Sequence, residues 1–499
     1  MPQLFSRMDD ANWLTPAIAE ILDQGAAPPN SPTREQTRVL QQELNSLGTP
    51  ARIINVRLTP SHTLFVARPE SGGVLGGRKA ITPQDIRRSM ARIAEQHKDW
   101  TLGFLNDVQE AEGTVGILLR TDQHQPVSLR RMLVRPTFRD NPSHLALALG
   151  LTLEEQMVIR DLGIVGHLLV VGADNPKRHF VRSLLLTLVL FNTPAELRLA
   201  LLGAGCQAYN ALVGLPHMLG RLLTSPEDGQ RLLDGLAKEA QRRQQYFTER
   251  GADNLDTYNA RLKEQGSTPL PRIALLIDSL SEETWHANRE RWLPTLTLLL
   301  TNGAQVGIHL LLTHETGQLP EGLSMPTRVV MRAAANEVID KLKDFPRPNL
   351  RFVDAFVMEG EQATPVELCI VSETETNRTV EYWRQTAAKR KQEAAPTAPE
   401  VSAQTGVTGV FRSESDAMRY IAAQQNKPAD TGSYVQRGAA LAAYLGWLGV
   451  GPLQDVLSLT EADARAVIGS LQAAGVLEAG DGAVLRFIRL ADNPLQGGG

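Results

Sequence analysis

The sequence is organised around a short apolar run that ends at a glycine. Leu168–Val171 is typical of a buried strand, Gly172 follows it, and after a short polar turn a helix is predicted to begin near Phe180. Strand, glycine turn and helix form the frame of a phosphate-binding loop, whose pattern is G-x-x-x-x-G-K-[ST]. In that pattern backbone N–H groups surround a triphosphate, the lysine contacts the β- and γ-phosphates, and the hydroxyl holds Mg²⁺. The frame favours an α/β fold with a ligand site at the carboxyl ends of its strands.

The same loop lacks much of the chemistry that its frame would support. With Gly172 as the first glycine, the second glycine position holds Lys177, the lysine position Arg178 and the hydroxyl position His179. Pro176 removes one N–H group, the Arg178 guanidinium is a planar fork rather than a point charge, and His179 has no hydroxyl for Mg²⁺. Two interpretations of this cationic triplet stay open: a vestigial anion site at a helix N-terminus, or a solvated cationic turn.

Composition restricts the class of protein. The chain has 499 residues and a net charge of −4, so a nucleic-acid-binding surface would have to be a local patch. The two cysteines, Cys206 and Cys369, have no metal-ligand spacing and fit a reducing compartment. Neither a signal peptide nor a membrane-spanning run is evident, and we expect a soluble cytoplasmic protein without a membrane segment.

The hydrophobic pattern predicts several regions. Their bounds are 1–30 for an arm, 31–140 for an α+β domain, 141–391 for alternating strands and helices, 392–432 for a linker, 433–490 for a third domain and 491–499 for a tail. The strand-like runs of the alternating region are 167–171, 197–202, 272–277, 306–312, 327–331 and 351–358. Their alternation with helices favours a mostly parallel, doubly wound sheet. The third domain begins with a predicted helix near 437–448, and its helix-helix-helix-hairpin order is that of a winged helix.

Several phrases resemble the motor of the FtsK/SpoIIIE family of DNA translocases. Ile273–Asp278 resembles its Walker B strand, Gly214-Leu215-Pro216-His217 its loop after the second core strand, and Gly307-Ile308-His309-Leu310 its sensor strand. The resemblance implies a RecA-like parallel-sheet motor domain, preceded by a small α+β domain and followed by a winged helix. It also implies a ring of such subunits around double-stranded DNA, with ATP and Mg²⁺ as cofactors.

The departures from the family pattern fall on its catalytic positions. Asp278 matches the Walker B aspartate and is kept as a vestigial metal ligand, but the position of the general-base glutamate holds Ser279, which has no useful basicity. The glutamine after the sensor strand falls at Glu315. Together with Arg178 and His179, these changes predict that the catalytic set is not intact and that no cofactor is required.

Three hypotheses remain open. The first is an inactive, structural or regulatory subunit in a DNA-associated ring, formed with itself or with an active FtsK-like paralogue. The second is an active ATP-dependent translocase with divergent motifs, in which Arg178 and Asp278 still work and either a neighbouring subunit or Glu282 completes the site. The third is a protein-binding scaffold without DNA contact. For the first two, the DNA-binding candidates are Arg465, Arg486 and Arg489, although the adjacent acids give the third domain a weak cationic footprint.

Overall fold

The structure is a computed structural model. It describes residues 13–25, 33–70, 80–108, 112–121, 125–141, 143–278, 282–315, 323–341, 345–394, 438, 447–448, 453–454, 457, 459–473, 477–479 and 485–487. The chain forms two compact units, Met1–Arg390 and Lys391–Gly499. The finer domain bounds given above stay predictions.

The first part of the larger unit contains a four-stranded antiparallel sheet. Its elements, preceded by helix α1 (Ile18–Ile21), are α2 (Thr33–Ser46), β1 (Ala51–Leu58), β2 (Thr63–Pro69), α3 (Pro83–Gln96), β3 (Thr101–Leu105) and β4 (Val115–Arg120). The strand order is β1-β2-β4-β3, so β3 lies at one edge. Helix α3 starts at a capping box in which Thr82 and Asp85 satisfy each other's backbone N–H groups, with Pro83 in the first turn. Its buried residues Ile86 and Ile93 pack with Leu40 of α2 over one face of the sheet.

A second, larger sheet carries the candidate site. Its elements are β5 (Val127–Ser128), α4 (Leu129–Leu133), α5 (Pro136–Arg139), β6 (Ala146–Leu151), β7 (Met157–Asp161), α6 (Leu162–Val165), β8 (Leu168–Val171), α7 (Asp174–Phe191), β9 (Leu197–Leu202), α8 (Pro226–Glu249), α9 (Leu255–Glu264), β10 (Arg272–Ile277), α10 (Glu282–Asn302), β11 (Ile308–His314), β12 (Thr327–Met331), α11 (Asn336–Lys341), β13 (Ala355–Glu359), β14 (Gln362–Ile370) and α12 (Glu373–Ala394). Three 3-10 helices, at Ala204–Gly214, Arg332–Ala334 and Arg347–Arg351, connect some of them.

The centre of this sheet is a parallel α/β motor fold. Strands β12, β8, β11, β10 and β9 lie side by side and run parallel. Numbered by their position in the chain, they have the order 5-1-4-3-2 of a RecA-like domain, as the sequence predicts. Their residues are almost all buried because helices cover both faces.

The sheet is mixed, however, and not the mostly parallel sheet that was expected. Strands β13, β14, β6 and β7 extend it beyond β12 with antiparallel pairing, and β5 pairs with β14. The strand predicted at 351–358 begins at Ala355 and returns antiparallel to β12, because a 3-10 helix occupies Arg347–Arg351. The connection from β12 to β13 contains α11 and two 3-10 helices, whereas β13 and β14 are joined by a tight hairpin.

The smaller unit contains α13 (Glu461–Ala473) and three short strands, β15 (Trp447–Leu448), β16 (Leu477–Ala479) and β17 (Leu485–Phe487). The strands pair antiparallel in the order β15-β17-β16. The helix predicted near 437–448 is therefore wrong at its end, since Trp447 and Leu448 pair with β17. In the described part of the chain no helix combines the length and apolarity needed to cross a membrane.

Candidate nucleotide site

The segment that would form a phosphate-binding loop is wound into a helix. Helix α7 begins at Asp174, immediately after Ala173, and the Lys177 N–H donates to the Ala173 carbonyl at 3.3 Å. The sequence placed this start near Phe180, which is wrong. Between Gly172 and Phe180 no further glycine interrupts the helix, and Pro176 falls in the first turn, where a missing N–H costs no intrahelical bond. The N–H of Lys177, which would face a phosphate in an open loop, is used within the helix.

Gly172 supports close packing between strands. Its φ is +150°, and a Cβ at this position would lie 2.4 Å from Met331 Cγ and 2.5 Å from Met331 Cβ. Its N–H donates to the His314 carbonyl at 2.9 Å. The glycine is therefore required where the ends of β8, β11 and β12 converge, and Met331 fills the space above it.

The cationic triplet does not form the solvated turn that was one of the two interpretations. Lys177 is fully buried, Arg178 is half-buried, and His179 is exposed on the surface of α7. Since successive helical residues point in different directions, the three cations do not face one common anion. The other interpretation, a vestigial anion site at a helix N-terminus, stays a prediction, and these residues lie in the first turns of α7.

Asp278 follows β10 directly and is fully buried. Its Oδ1 accepts a hydrogen bond from Thr313 Oγ1 on the neighbouring strand β11. The Asp278 N–H donates to the Leu202 carbonyl at 2.9 Å, which holds the ends of β9 and β10 together. The carboxylate thus lies within the protein and is held by a hydroxyl group of the same sheet.

Two further side chains surround this carboxylate. Burial, and then the negative charge of Asp278, raise the pKa of the Cys206 thiol to about 12. The same two causes raise the pKa of Tyr209, while the positive charge of Arg178 opposes them. Cys206 and Tyr209 are both buried, so the side chains beside Asp278 include a thiol and a phenol, with the positive charge of Arg178 nearby. Since the thiolate is the reactive form of cysteine, this raised pKa leaves the buried Cys206 thiol unreactive.

The other predicted catalytic positions are Glu315, Ser279 and Glu282. Glu315 is exposed one residue beyond β11. Ser279 lies outside the described residues, and Glu282 is described only as the first residue of α10, without its side chain. Among the described residues there is no group of three or more His, Cys, Asp or Glu side chains placed to hold a metal ion.

ATP and Mg²⁺ do not fit the residues at this position. The cradle for phosphates is replaced by the first turn of α7, and Met331 occupies the space next to Gly172. The position of the Mg²⁺ hydroxyl holds an exposed histidine, and the remaining carboxylate is buried against Thr313. No reaction step through ATP or Mg²⁺ follows from this arrangement.

A second polar cluster lies at the junction of the two sheets, and the sequence analysis missed it. Ser61 Oγ donates to Glu367 Oε2 at 2.5 Å and lies 3.0 Å from His62 Nδ1, while Arg120 donates to the other Glu367 oxygen. Burial alone would raise the pKa of Glu367, but the charges of His62 and Arg120 and the Ser61 hydroxyl hold it below its usual value. Ser61 and Glu367 are 306 positions apart, so no local pattern could have predicted the cluster.

Among the residues that the structure describes, the three DNA-binding candidates do not form a common cationic surface. Arg465 on α13 is exposed, but its guanidinium donates twice to Glu461 Oε1, at 2.6 and 3.1 Å. Arg486 is paired in register with Trp447 and Glu478 on either side of β17. Arg489 lies outside the described residues.

Comparison with known sequences shows which proteins this chain resembles. The FtsK/SpoIIIE family model matches residues 128–335. The chain is 26% identical over 281 residues to the DNA translocase FtsK of Caldanaerobacter subterraneus, which covers 56% of this chain and 38% of that protein. It is 29% identical over 258 residues to the DNA translocase FtsK of Campylobacter jejuni, which covers 50% of this chain and 26% of that protein. This chain therefore spans well under half the length of these relatives.

Solved structures give weaker similarity. The pCW3 conjugation coupling protein TcpA, as a monomer with ATPγS, aligns over 70% of this chain with a TM-score of 0.42 and 13% identity. The cytoplasmic domain of the type VII secretion ATPase EccC of Thermomonospora curvata aligns over 52% of this chain with a TM-score of 0.42 and 20% identity. The assignment therefore depends on the sequence match, on the 5-1-4-3-2 strand order and on the position of Gly172 after the first parallel strand. Residues 128–335 of this chain match the model of the FtsK/SpoIIIE family.

Proposed function

We propose that this chain is a pseudo-ATPase, an FtsK-like subunit that retains the motor fold without nucleotide hydrolysis. The observation that carries the proposal is the start of α7 at Asp174, which converts the phosphate-binding segment into a helix with Lys177 buried inside the protein. The substitution of Ser279 at the general-base position supports it. In this proposal the chain needs neither ATP nor Mg²⁺.

The role that fits such a subunit is structural or regulatory, in a ring associated with double-stranded DNA. The relatives named above are DNA translocases, and an inactive copy of the same motor fold can occupy a position in a ring of identical subunits or of active paralogues. The two cysteines of the chain are free and buried, which fits the reducing cytoplasm as its location.

Nucleotide binding tests the pseudo-ATPase proposal. We expect isothermal titration calorimetry of the full chain with ATP, in the presence and absence of Mg²⁺, to show no saturable binding below about 1 mM. The matched variants are Asp278→Asn, at the buried carboxylate, and Asp253→Asn, at an exposed one. Micromolar binding of Mg²⁺–ATP that Asp278→Asn weakens and Asp253→Asn leaves unchanged would overturn the proposal.

A second candidate function is a protein-binding scaffold without DNA contact. The observation that favours it is the charge of α13, whose one arginine, Arg465, stands beside the acids Glu461 and Asp463, so this helix has no net positive charge to offer a phosphate. Duplex binding measured by fluorescence anisotropy across a salt series separates the two candidates. The ring proposal predicts affinity that falls steeply with salt, because phosphate contacts release counterions, whereas the scaffold predicts a slope near zero.

A further inference from the structure

A cavity that belongs to neither the candidate nucleotide site nor the proposed DNA surface opens at the edge of the small sheet. Its volume is about 450 Å³. It lies between α3, the edge strand β3 and the 3-10 helix Arg347–Arg351, and its lining residues are Arg87, Met90, Ala91, Ala94, Leu102, Gly103, Phe104, Arg347, Pro348 and Arg351. This size is in the range of pockets that hold small molecules.

All the charged side chains that line this cavity are positive. Three of the lining residues, Arg87, Arg347 and Arg351, are arginines, and the lining includes no aspartate or glutamate. Arg347 lies 3.3 Å from Asp340, but both side chains are mostly exposed, at 65% and 73%. A surface pair of this kind contributes little free energy, so a better-placed anion can replace Asp340 as the partner of Arg347.

The rest of the cavity is apolar. Met90, Leu102 and Phe104 form buried walls, and Ala91 and Ala94 leave space along the side of α3. A bound molecule therefore meets both guanidinium groups and hydrocarbon. This combination suits an anionic group attached to an apolar body better than it suits a bare inorganic ion.

The walls of the cavity are held in place by hydrogen bonds between two elements. The Asn349 side chain accepts from the Phe104 N–H and donates to the Phe104 carbonyl, both at 2.6 Å. A Cβ on Gly103 would lie 2.8 Å from Asn349 Oδ1, so this close approach requires glycine. The cavity is consequently preformed, because the edge strand and the 3-10 helix cannot move apart without breaking these bonds.

We propose that this cavity binds a small organic anion, with its apolar body between α3 and β3 and its carboxylate or phosphate at the three arginines. The guanidinium fork matches both of these anionic groups. The Arg351 carbonyl accepts from Arg120 at 2.8 Å, and Arg120 contacts Glu367 in the junction cluster. A bound anion would therefore lie against a 3-10 helix that also contacts the junction of the two sheets.

The test uses 8-anilinonaphthalene-1-sulfonate, which has an aromatic body and one anionic group, as a fluorescent probe of the full chain. We expect the probe to bind at one saturable site. Its affinity should fall at least about tenfold in the double variant Arg87→Gln/Arg351→Gln, because each substitution removes a charge-assisted hydrogen bond to the anionic group. Arg88→Gln is the matched control, because Arg88 neighbours Arg87 but faces Asp85 at 3.6 Å and does not line the cavity. Ala91→Trp, which fills the opening, should abolish the site, and circular dichroism checks that each variant is folded.

Competition identifies the natural class of ligand. Displacement of the probe by benzoate or AMP supports the proposal, whereas displacement by an acidic peptide alone would overturn it in favour of a protein partner. The neutral probe N-phenyl-1-naphthylamine should bind at least about tenfold more weakly. Equal binding of the neutral probe, or equal binding by wild type and Arg87→Gln/Arg351→Gln, would also overturn it.

Discussion

Gly172 and Lys177 show how single residues can retain a position in a fold and lose its chemistry. Gly172 still follows the first parallel strand, but its missing side chain makes room for Met331. Lys177 stands at the second glycine position, and its side chain is fully buried. A buried ammonium needs compensation within the protein, so this lysine contributes to the packing below α7 and is not presented to solvent as a phosphate-binding group.

Substitution of Gly172 tests the first of these points. We expect Gly172→Ala to destabilise the protein by about 3 kcal/mol or more, since the new Cβ combines an unfavourable φ with overlap against Met331. The matched control is Gly48→Ala, which has a φ of +74° but no atom within 4 Å of the added Cβ, and should cost about 1 kcal/mol. Chemical denaturation measures both. Equal costs for the two variants would show that Met331 does not close this position.

At the scale of elements, the hydrogen-bonding side chain of Asn349 protects the edge of the small sheet. The edge strand β3 has backbone groups without a neighbouring strand on one side, and Asn349 pairs with both groups of Phe104. Asn349 is fully buried between the 3-10 helix and β3. It therefore acts in place of one residue of a further strand.

Removal of this side chain should loosen the small sheet from the large one. We expect Asn349→Ala to lower the free energy of unfolding by about 2 to 3 kcal/mol, because two buried backbone groups lose their partner. Asn45→Ala, at an exposed position of α2, is the control and should change stability by less than about 0.5 kcal/mol. Hydrogen exchange should locate the change at Phe104, and unchanged protection there would contradict this role of Asn349.

The elements that were predictable from sequence are those with a strong local pattern. The five parallel strands have continuous apolar runs and resemble a known family, so β8 to β12 were found with their order implied. The start of α7 was not, since Asp174 to Pro176 have the composition of a turn, although a proline is tolerated in the first turn of a helix. The strand predicted at 351–358 corresponds to β13, but its antiparallel direction was not predicted, because a buried strand shows no direction in its sequence, and β14 was not predicted at all.

The location of the candidate site was predictable from the sequence, but the burial and the contacts of its residues were not. The positions of Gly172, Arg178 and Asp278 follow from the spacing of motifs along the chain. The burial of Lys177, the contact between Asp278 and Thr313 and the junction cluster around Glu367 depend on contacts between distant elements. Such contacts have no signature in a local window of sequence.

At the scale of the whole molecule, three buried histidines make stability depend on pH. Burial lowers the pKa of His167 and of His309 to about 4, and that of His217 to about 3. Each is therefore neutral in the folded protein, and on unfolding below about pH 6.5 each takes up a proton. Their contribution is fully present above about pH 6.5 and is lost as the pH falls towards 4.

We expect the free energy of unfolding to fall by several kcal/mol between pH 7 and pH 5, at up to about 1.4 kcal/mol per pH unit for each histidine. Urea denaturation at a series of pH values measures the slope, and His217→Gln should reduce it by the share of one residue. Stability that stays constant from pH 7 to pH 5 would contradict the burial of these rings in neutral form.

DNA-stimulated release of phosphate tests whether the motor fold of this chain hydrolyses ATP. The full chain is assayed with Mg²⁺–ATP and duplex DNA, over a range of protein concentrations that allows self-assembly, beside Asp278→Asn and the exposed control Asp253→Asn. If the chain is a pseudo-ATPase, we expect the wild type, Asp278→Asn and Asp253→Asn to release phosphate at the same background rate. DNA-stimulated hydrolysis by the wild type that Asp278→Asn abolishes and Asp253→Asn preserves would contradict it.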